Sequence, residues 1–348
     1  MAALSYAFYR LPYADTYTLV ESEQEPLILD KLDGVGDTPG FVIAPFRLSE
    51  EHPALLILPD SITTRRLVPG SEKPGQSVPP SADPSPRYAA AFSAFHSAVE
   101  SGDFLKLVLA RNSAMTLNSD PDLSDPMAVR ALFERACRLY PRLMVMLFST
   151  PVSGTWLVAS PEILLDGKGH SLHTVALAGT MQFQEGLVDW SEKNRQEQNI
   201  VEKYIEGTLA QVSDDVLKDG PVTMRAGNLV HLRTDFRFHL NGSLTLGHLV
   251  SKLHPTPAVC GMPKQEAAAF IMENEGMDRR YYSGFAGPVD IHGETHLYVA
   301  LRCAELTSSA DGTAATLYAG GGIMPDSDCV SEWMETESKM KTIQNVLQ

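Results

Sequence analysis

Three glutamates occupy helix positions where aliphatic side chains belong. The segment Asp189–Leu217 has helical periodicity, and at ~100° per residue Ile200, Val201, Tyr204, Ile205, Leu209 and Val212 fall within ~80° of Glu197. Arg195, Glu202, Lys203 and Glu206 take the opposite face, so Glu197 lies in the stripe that should be buried. A second helix is expected over Ser331–Gln348. There Glu332, Glu335 and Lys339 continue the line of Ile343 and Val346, while Glu337, Lys341 and Asn345 face solvent. A buried carboxylate is costly unless it is paired or holds a metal. Two carboxylates one turn apart, with a third from another helix, make a hard-oxygen set suited to Mg²⁺, which favours carboxylates and keeps several waters. The plainer alternatives are a Glu197 that snorkels or suits the start of its helix, and a weak surface pair between Glu335 and Lys339.

The elements that must position these groups are read from periodicity and turn chemistry. FVIAPF and ALLILPD are expected to be buried strands. Pro69–Arg87, PGSEKPGQSVPPSADPSPR, is too rich in proline for sheet or helix and is read as a loop or an extended strap. A helix over Tyr88–Ser101 stops at Gly102, and a strand follows over Leu105–Met115. A helix over Pro126–Tyr140 precedes the strand LMVMLFS, and Gly154–Thr180 is read as two strands joined at Asp166-Gly167-Lys168-Gly169. Further strands are expected at Ser243–Leu246, Thr295–Leu306 and Ala314–Tyr318, with AGGGIMPDSD as a glycine loop before the last helix. Strands arrive in runs and helices in separate blocks, which favours α+β over a parallel α/β wind.

Composition narrows the function classes. The 348 residues carry 28 Lys+Arg against 43 Asp+Glu, a formal charge of −15, with 44% apolar and 20% charged residues. This is a soluble globular composition, and its acidity argues against a nucleic-acid or anionic-membrane surface. No apolar run approaches the ~18 residues of a membrane span, and the N-terminus lacks a signal-peptide pattern, so the expected compartment is the cytoplasm. Cys137, Cys260, Cys303 and Cys329 show neither C-x-x-C nor zinc spacing and are read as reduced packing residues.

From about Phe104 onward the chain resembles the chorismate-utilising enzymes, the family of isochorismate, salicylate, anthranilate and aminodeoxychorismate synthases. The matching stretches are KLVLAR (106–111), SPE (160–162), ALAGT (176–180), SEKNRQEQNIV (191–201), HLRT (231–234), HPTPAVCG (254–261), DRRYYSGFAG (278–287), LRCAEL (301–306), AGGGI (319–323) and SEWMETESK (331–339). The resemblance implies one α+β domain over residues 1–348, a two-sheet sandwich with helices outside. Residues 1–87 would be its divergent N-terminal part, including the 69–87 strap, and 88–348 its motif-bearing part. It implies Glu197 and Glu335 as Mg²⁺ ligands, with Glu332 acting directly or through water, and chorismate as the substrate. Relatives often have an acidic residue where this chain has Asn194, which is left out of the metal set. Arg302 and Lys339 resemble the cations that grip the enolpyruvyl carboxylate, with Tyr282 nearby. His231 resembles the histidine against the ring carboxylate. Backbone N–H groups of Gly179, Thr180, Gly320, Gly321 and Gly322 are expected to assist, because glycine lets a backbone approach an anion closely. Relatives of this type are often monomers.

The same resemblance implies the chemistry. Lys106 would activate water for attack at C2, and Glu162 would protonate the departing C4 hydroxyl. That requires a partly neutral Lys106 and a protonated Glu162, both favoured by burial. Ala178 stands where aminodeoxychorismate synthases carry a nucleophilic lysine, so that route is absent. The segments 254–261 and 278–287 read like those of isochorismate synthases, which feed menaquinone or catechol siderophores. Salicylate synthase is the alternative, and a non-catalytic chorismate-binding member the third reading. A dianion entering a protein of charge −15 gains no long-range steering, but at a Debye length of ~8 Å distant carboxylates matter little.

Overall fold

The computed structural model describes residues 3–74, 83–117, 121–183, 185–186, 188–309 and 312–348. Part of the proline-rich stretch, residues 75–82, lies outside them. Residues 69–74 have no regular structure, and Pro86 and Arg87 already belong to a helix.

Two large sheets organise the chain. The strands of the first are β1 (Ser5–Arg10), β2 (Thr16–Ser22), β6 (Ser61–Arg66), β7 (Lys106–Thr116), β8 (Met144–Thr150), β9 (Gly154–Ser160), β14 (Gly261–Met262), β17 (Cys303–Ser309) and β18 (Gly312–Ile323). Those of the second are β3 (Leu27–Leu29), β4 (Gly40–Ala44), β5 (Ala54–Ile57), β10 (Ile163–Lys168), β11 (Ser171–Gln182), β12 (Val216–Ala226), β13 (Leu229–His239), β15 (Phe285–Val289) and β16 (Thr295–Val299). Their orders are β14-β7-β18-β17-β9-β8-β1-β2-β6 and β12-β13-β11-β10-β16-β15-β4-β5-β3. Strands before residue 67 enter both sheets, so the N-terminal part shares the architecture of the rest.

Six helices accompany them among the described residues: α1 (Pro86–Glu100), α2 (Pro126–Leu139), α3 (Glu192–Leu209), α4 (Leu246–Leu253), α5 (Lys264–Asn274) and α6 (Cys329–Leu347). Local chemistry sets their starts. Ser191 Oγ accepts the Asn194 N–H at 3.3 Å at the head of α3, and Asp328 Oδ1 accepts the Ser331 N–H at 2.9 Å at the head of α6. Pro126 opens α2 behind the Asp125 cap. Apolar side chains between the sheets, among them Phe41, Phe148, Trp156 and Tyr282, form a central core. α3 and α4 cover the outer face of the second sheet, and α2 and α6 that of the first.

The α+β class and the two-sheet sandwich are as expected. Several elements are not. Gly154–Thr180 is three strands: β9 ends at Ser160, and the chain crosses at Pro161–Glu162 into the other sheet. Thr295–Leu306 likewise divides at Ala300–Arg302, where β16 of one sheet gives way to β17 of the other. The glycine loop is the end of β18, paired with β7 from Gly320↔Ala110 to Ile323↔Leu107. Ser243–Leu246 forms no strand and leads into α4, whose Thr245 cap accepts the His248 N–H. The hairpin β12–β13 had no counterpart in the periodicity, and α3 stops at Leu209 rather than running to Leu217. Strand β12 is nearly all exposed, so its side chains have no inward face to alternate with. No helix among the described residues is long and apolar enough to cross a membrane.

Candidate active site

The two sheet-to-sheet crossings lie side by side: the Ala159 N–H donates to Arg302 O at 3.1 Å and the Val299 N–H to Glu162 O at 3.0 Å. A cavity of about 60 Å³ opens there, walled by Glu162, Glu197, His231, Tyr282, Arg302 and Lys339 together with Gly179, Thr180, Gly320 and Gly322. A further hollow of about 270 Å³ shares Thr180 with it and reaches Glu335 and Ser338 on α6.

Glu197 from α3 and Glu332 and Glu335 from α6 converge over β18. A Cβ on Gly321 would lie 3.0 Å from Glu332 Oε2 and 3.5 Å from Glu335 Oε1, and a Cβ on Gly322 would collide with Glu197 Oε1. The glycines are there to make room. Each carboxylate is drawn to a lysine: Glu197 lies 2.9 Å from Lys106 Nζ, Glu335 2.7 Å from Lys339 Nζ, and Glu332 pairs with Lys193 while accepting from Ser327 at 2.7 Å. Burial pushes Glu197 up, but Lys106, Lys193 and Lys339 together offset this and hold it below the usual carboxylate range. Burial and then the like charge of Glu335 push Glu332 up to about 7.

These three carboxylates do not bring one oxygen each within 4.8 Å of the others; among the described residues only the surface group Glu51, His52 and Asp278 does so. The donor chemistry nevertheless fits a hard divalent cation. Three acidic oxygens gather over two glycines, and the lysines already supply the positive charge that such a cation would bring.

The candidate acid lines the cavity, and the candidate base lies behind its wall against Glu197. Lys106 opens β7 and is fully buried. Its ammonium touches Glu197 at 2.9 Å without the angles of a hydrogen bond and has no other partner among the described residues. Glu162 stands in the crossing after β9, 1% exposed, where Oε1 accepts the Thr256 hydroxyl at 3.1 Å. Burial pushes its carboxyl up to about 7, against the opposing pull of Thr256, Lys106 and Lys339.

Arg302 brings a buried cation to the cavity. Its guanidinium is buried, donates to Ala226 O at 3.0 Å and to His231 Nε2, and has no acidic partner among the described residues. Burial lowers its pKa to about 10. His231 Nδ1 lies 3.0 Å from Gly179 O, so that nitrogen carries the hydrogen and Nε2 offers its lone pair to Arg302. Burial, then Arg302 and Lys339, hold His231 well below its ordinary value, so the ring is neutral. Lys339 also donates to Gly320 O at 2.7 Å, and Tyr282 stacks on Tyr318 at 5.6 Å between centroids. The Thr180 N–H is committed to Asn194 Oδ1 at 3.3 Å, and Gly320–Gly322 belong to the β7–β18 ladder.

The sequence profile of the family described as chorismate binding enzyme matches residues 64–348. The chain belongs to that family. A Mycobacterium tuberculosis protein named as a candidate isochorismate synthase MenF is 33% identical over 323 residues, 87% of this chain and 84% of the relative. The isochorismate synthase EntC of Escherichia coli K12 is 34% identical over 211 residues, 57% of this chain and 53% of that protein. The solved menaquinone-specific isochorismate synthase MenF of Escherichia coli shares the fold, with a TM-score of 0.80 at 22% identity over 100% of this chain and 90% of that one.

Every site residue expected from the sequence of this chorismate-binding enzyme lies at the cavity or among its glutamates. Lys193 was missed, although its place four residues before Glu197 puts it on the same helix face. Thr256, inside the motif 254–261, and Gln198 were also missed. Gln198 accepts the Ala178 N–H at 2.8 Å and donates to Ala176 O at 3.1 Å, fixing the bulge at Gly179.

Proposed function

We propose that the chain is an isochorismate synthase acting on chorismate with Mg²⁺, its 348 residues forming one catalytic domain. The observation that supports the reading is a protonatable, buried Glu162 at a cavity that also presents an uncompensated Arg302, with a buried Lys106 held against Glu197 of the cavity wall. The 33% identity to a relative named for this activity supports it.

Glu197, Glu335 and Glu332 would hold Mg²⁺, which supplies positive charge to the ring carboxylate. Arg302, oriented by neutral His231, and Lys339 bind the enolpyruvyl carboxylate, with Tyr282 packed beside them. Lys106 Nζ takes a proton from water as the water oxygen bonds to C2. The ring double bonds shift, and the C4–O bond breaks. Glu162 gives its proton to the departing hydroxyl, which leaves as water. One water is consumed and one released, so the product is an isomer. Lys106 then loses and Glu162 regains a proton through solvent, restoring the amine and the acid that the next turnover needs.

The test is the product formed from chorismate and Mg²⁺. Isochorismate is expected, and Lys106→Ala should make none while still binding chorismate. Salicylate with equimolar pyruvate would replace this reading with salicylate synthase, and no conversion with intact binding would replace it with a non-catalytic role.

A further inference from the structure

The segment that meets the Glu162 carboxyl is firmly anchored. It runs from the end of α4 to the start of β14, and hydrogen bonds fix it at both ends. Lys264 donates to His254 O at 2.8 Å, and His254 Nε2 lies 3.0 Å from Pro45 O. The N–H groups of Val259 and Cys260 both donate to Thr256 O, at 3.1 and 3.0 Å, and Arg279 donates to Val259 O at 2.7 Å. Cys260 O accepts the Val108 N–H at 2.8 Å, which ties the turn to the strand that Lys106 opens. A backbone held at so many points gives its side chains fixed positions.

One of those side chains is aimed at the candidate acid. Thr256 is buried, and its hydroxyl donates to Glu162 Oε1 at 3.1 Å. This is the only hydrogen bond to the carboxyl among the described residues, because the Ser160 hydroxyl takes the Glu162 backbone N–H instead. Lys106 from β7 and Lys339 from α6 face the carboxyl and favour its ionised form, but their contacts are with Glu197 and Glu335. The other titratable groups on the cavity wall are Glu197, His231, Tyr282 and Arg302. A threonine hydroxyl has one hydrogen to give, and a carboxylic acid accepts better at its carbonyl oxygen than at its hydroxyl oxygen. With Oε1 taken as the acceptor, the hydrogen of the acid is left to Oε2. That oxygen has no partner among the described residues, and Glu162 itself walls the cavity.

We propose that Thr256 is the positioning residue of the acid: it fixes the Glu162 carboxyl by Oε1 and so leaves the transferable hydrogen on Oε2. The proposal rests on the reading of Glu162 as the group that protonates the departing hydroxyl. A hydroxyl that donates to a carboxyl favours the ionised form, so without it Glu162 should hold its proton to higher pH. In Thr256→Val, which keeps the side-chain volume, kcat should fall about tenfold with KM little changed. The upper limb of its pH–rate profile should move up by about one pH unit. Thr256→Ala should show the same limb, and Thr256→Ser should restore both the limb and kcat. The shift should also appear without turnover, in the infrared carbonyl band of the protonated carboxyl. That band is assigned by its loss in Glu162→Gln and titrated in the ligand-free protein. A band midpoint that the valine and alanine variants leave in place overturns the proposal, as does a shift that serine fails to reverse, which would mark repacking. A band that moves while the rate limb stays overturns the acid role of Glu162, and the positioning role with it, but not the hydrogen bond. The infrared titration needs no substrate, so it tests the Thr256 contact even if the reaction proves to be another one.

Discussion

Glu162→Gln should inactivate the enzyme and stabilise it at the same time, by an amount that grows with pH. The wild-type carboxyl is buried with Thr256 as its hydrogen-bond donor, and burial pushes its pKa from 4.5 up to about 7. In the unfolded chain the same group ionises near its ordinary value. As pH rises from 4.5 the unfolded state gives up a proton that the folded state still holds, so stability falls until the folded group ionises at about 7, and then levels off. At 1.36 kcal/mol per pH unit the full penalty is about 3 kcal/mol. Glutamine is uncharged in both states, keeps an oxygen for Thr256 and has nearly the same volume, so the variant escapes it. With an unfolding entropy of ~2.1 cal/mol/K per residue, about 3 kcal/mol over this chain is roughly 4 °C in Tm. Calorimetric melting of both proteins without ligand should show that gain at pH ~8 and only about 1 kcal/mol at pH ~5.5. Equal melting at the higher pH would refute a buried, proton-holding Glu162. A gain of the same size at both pH values would assign it to packing rather than protonation.

The wild-type kcat/KM should fall about tenfold per pH unit above about 7, as the acid form of Glu162 is lost, and a pH–rate profile checks it. Gly322→Ala places a methyl group on Glu197 Oε1 and should lower kcat/KM by about 10²-fold or more. The same variant should need more Mg²⁺ for half-maximal rate, as should Glu197→Ala and Glu335→Ala. Arg302→Met should weaken chorismate binding by roughly 10–100-fold in equilibrium titration. Its Tm should hold or rise, because the guanidinium it removes is buried without a counter-charge.

Glu197, Glu332 and Glu335 were legible because helices have a strict period, and an acid on the apolar stripe stands out. Their convergence was not, since nothing in either helix records that Gly321 and Gly322 lie beneath both. The glycine run read as a loop, because glycine is the commonest loop signal. Here it is strand, kept small by the carboxylates stacked on it. Arg302 and Glu162 were found by resemblance alone. Both sit in crossings between sheets, and Thr295–Leu306 shows why these are silent: the apolar run continues through Ala300–Arg302 although the backbone changes sheet and Arg302 adopts φ 49°. Pairing partners set such crossings, and the local sequence does not contain them.

The charge inventory of the cavity ties the proposed ligands together. Lys106, Lys193, Lys339 and Arg302 face Glu197, Glu332 and Glu335, and with Glu162 protonated, His231 neutral and Glu332 ionised, as holding a cation requires, the balance is one positive charge. A divalent cation alone would raise that to three, and a dianionic substrate alone would turn it to one negative. Together they leave it unchanged. In a buried site an uncompensated charge is far more expensive than in water, so each ligand lowers the cost of the other. The lysine that each glutamate holds before the cation arrives also becomes available to substrate or water once the cation takes its carboxylate. Lys106, held by Glu197 at 2.9 Å, is the group for which that release matters most, because in the proposed reaction its ammonium must give up a proton before the amine can accept one from water.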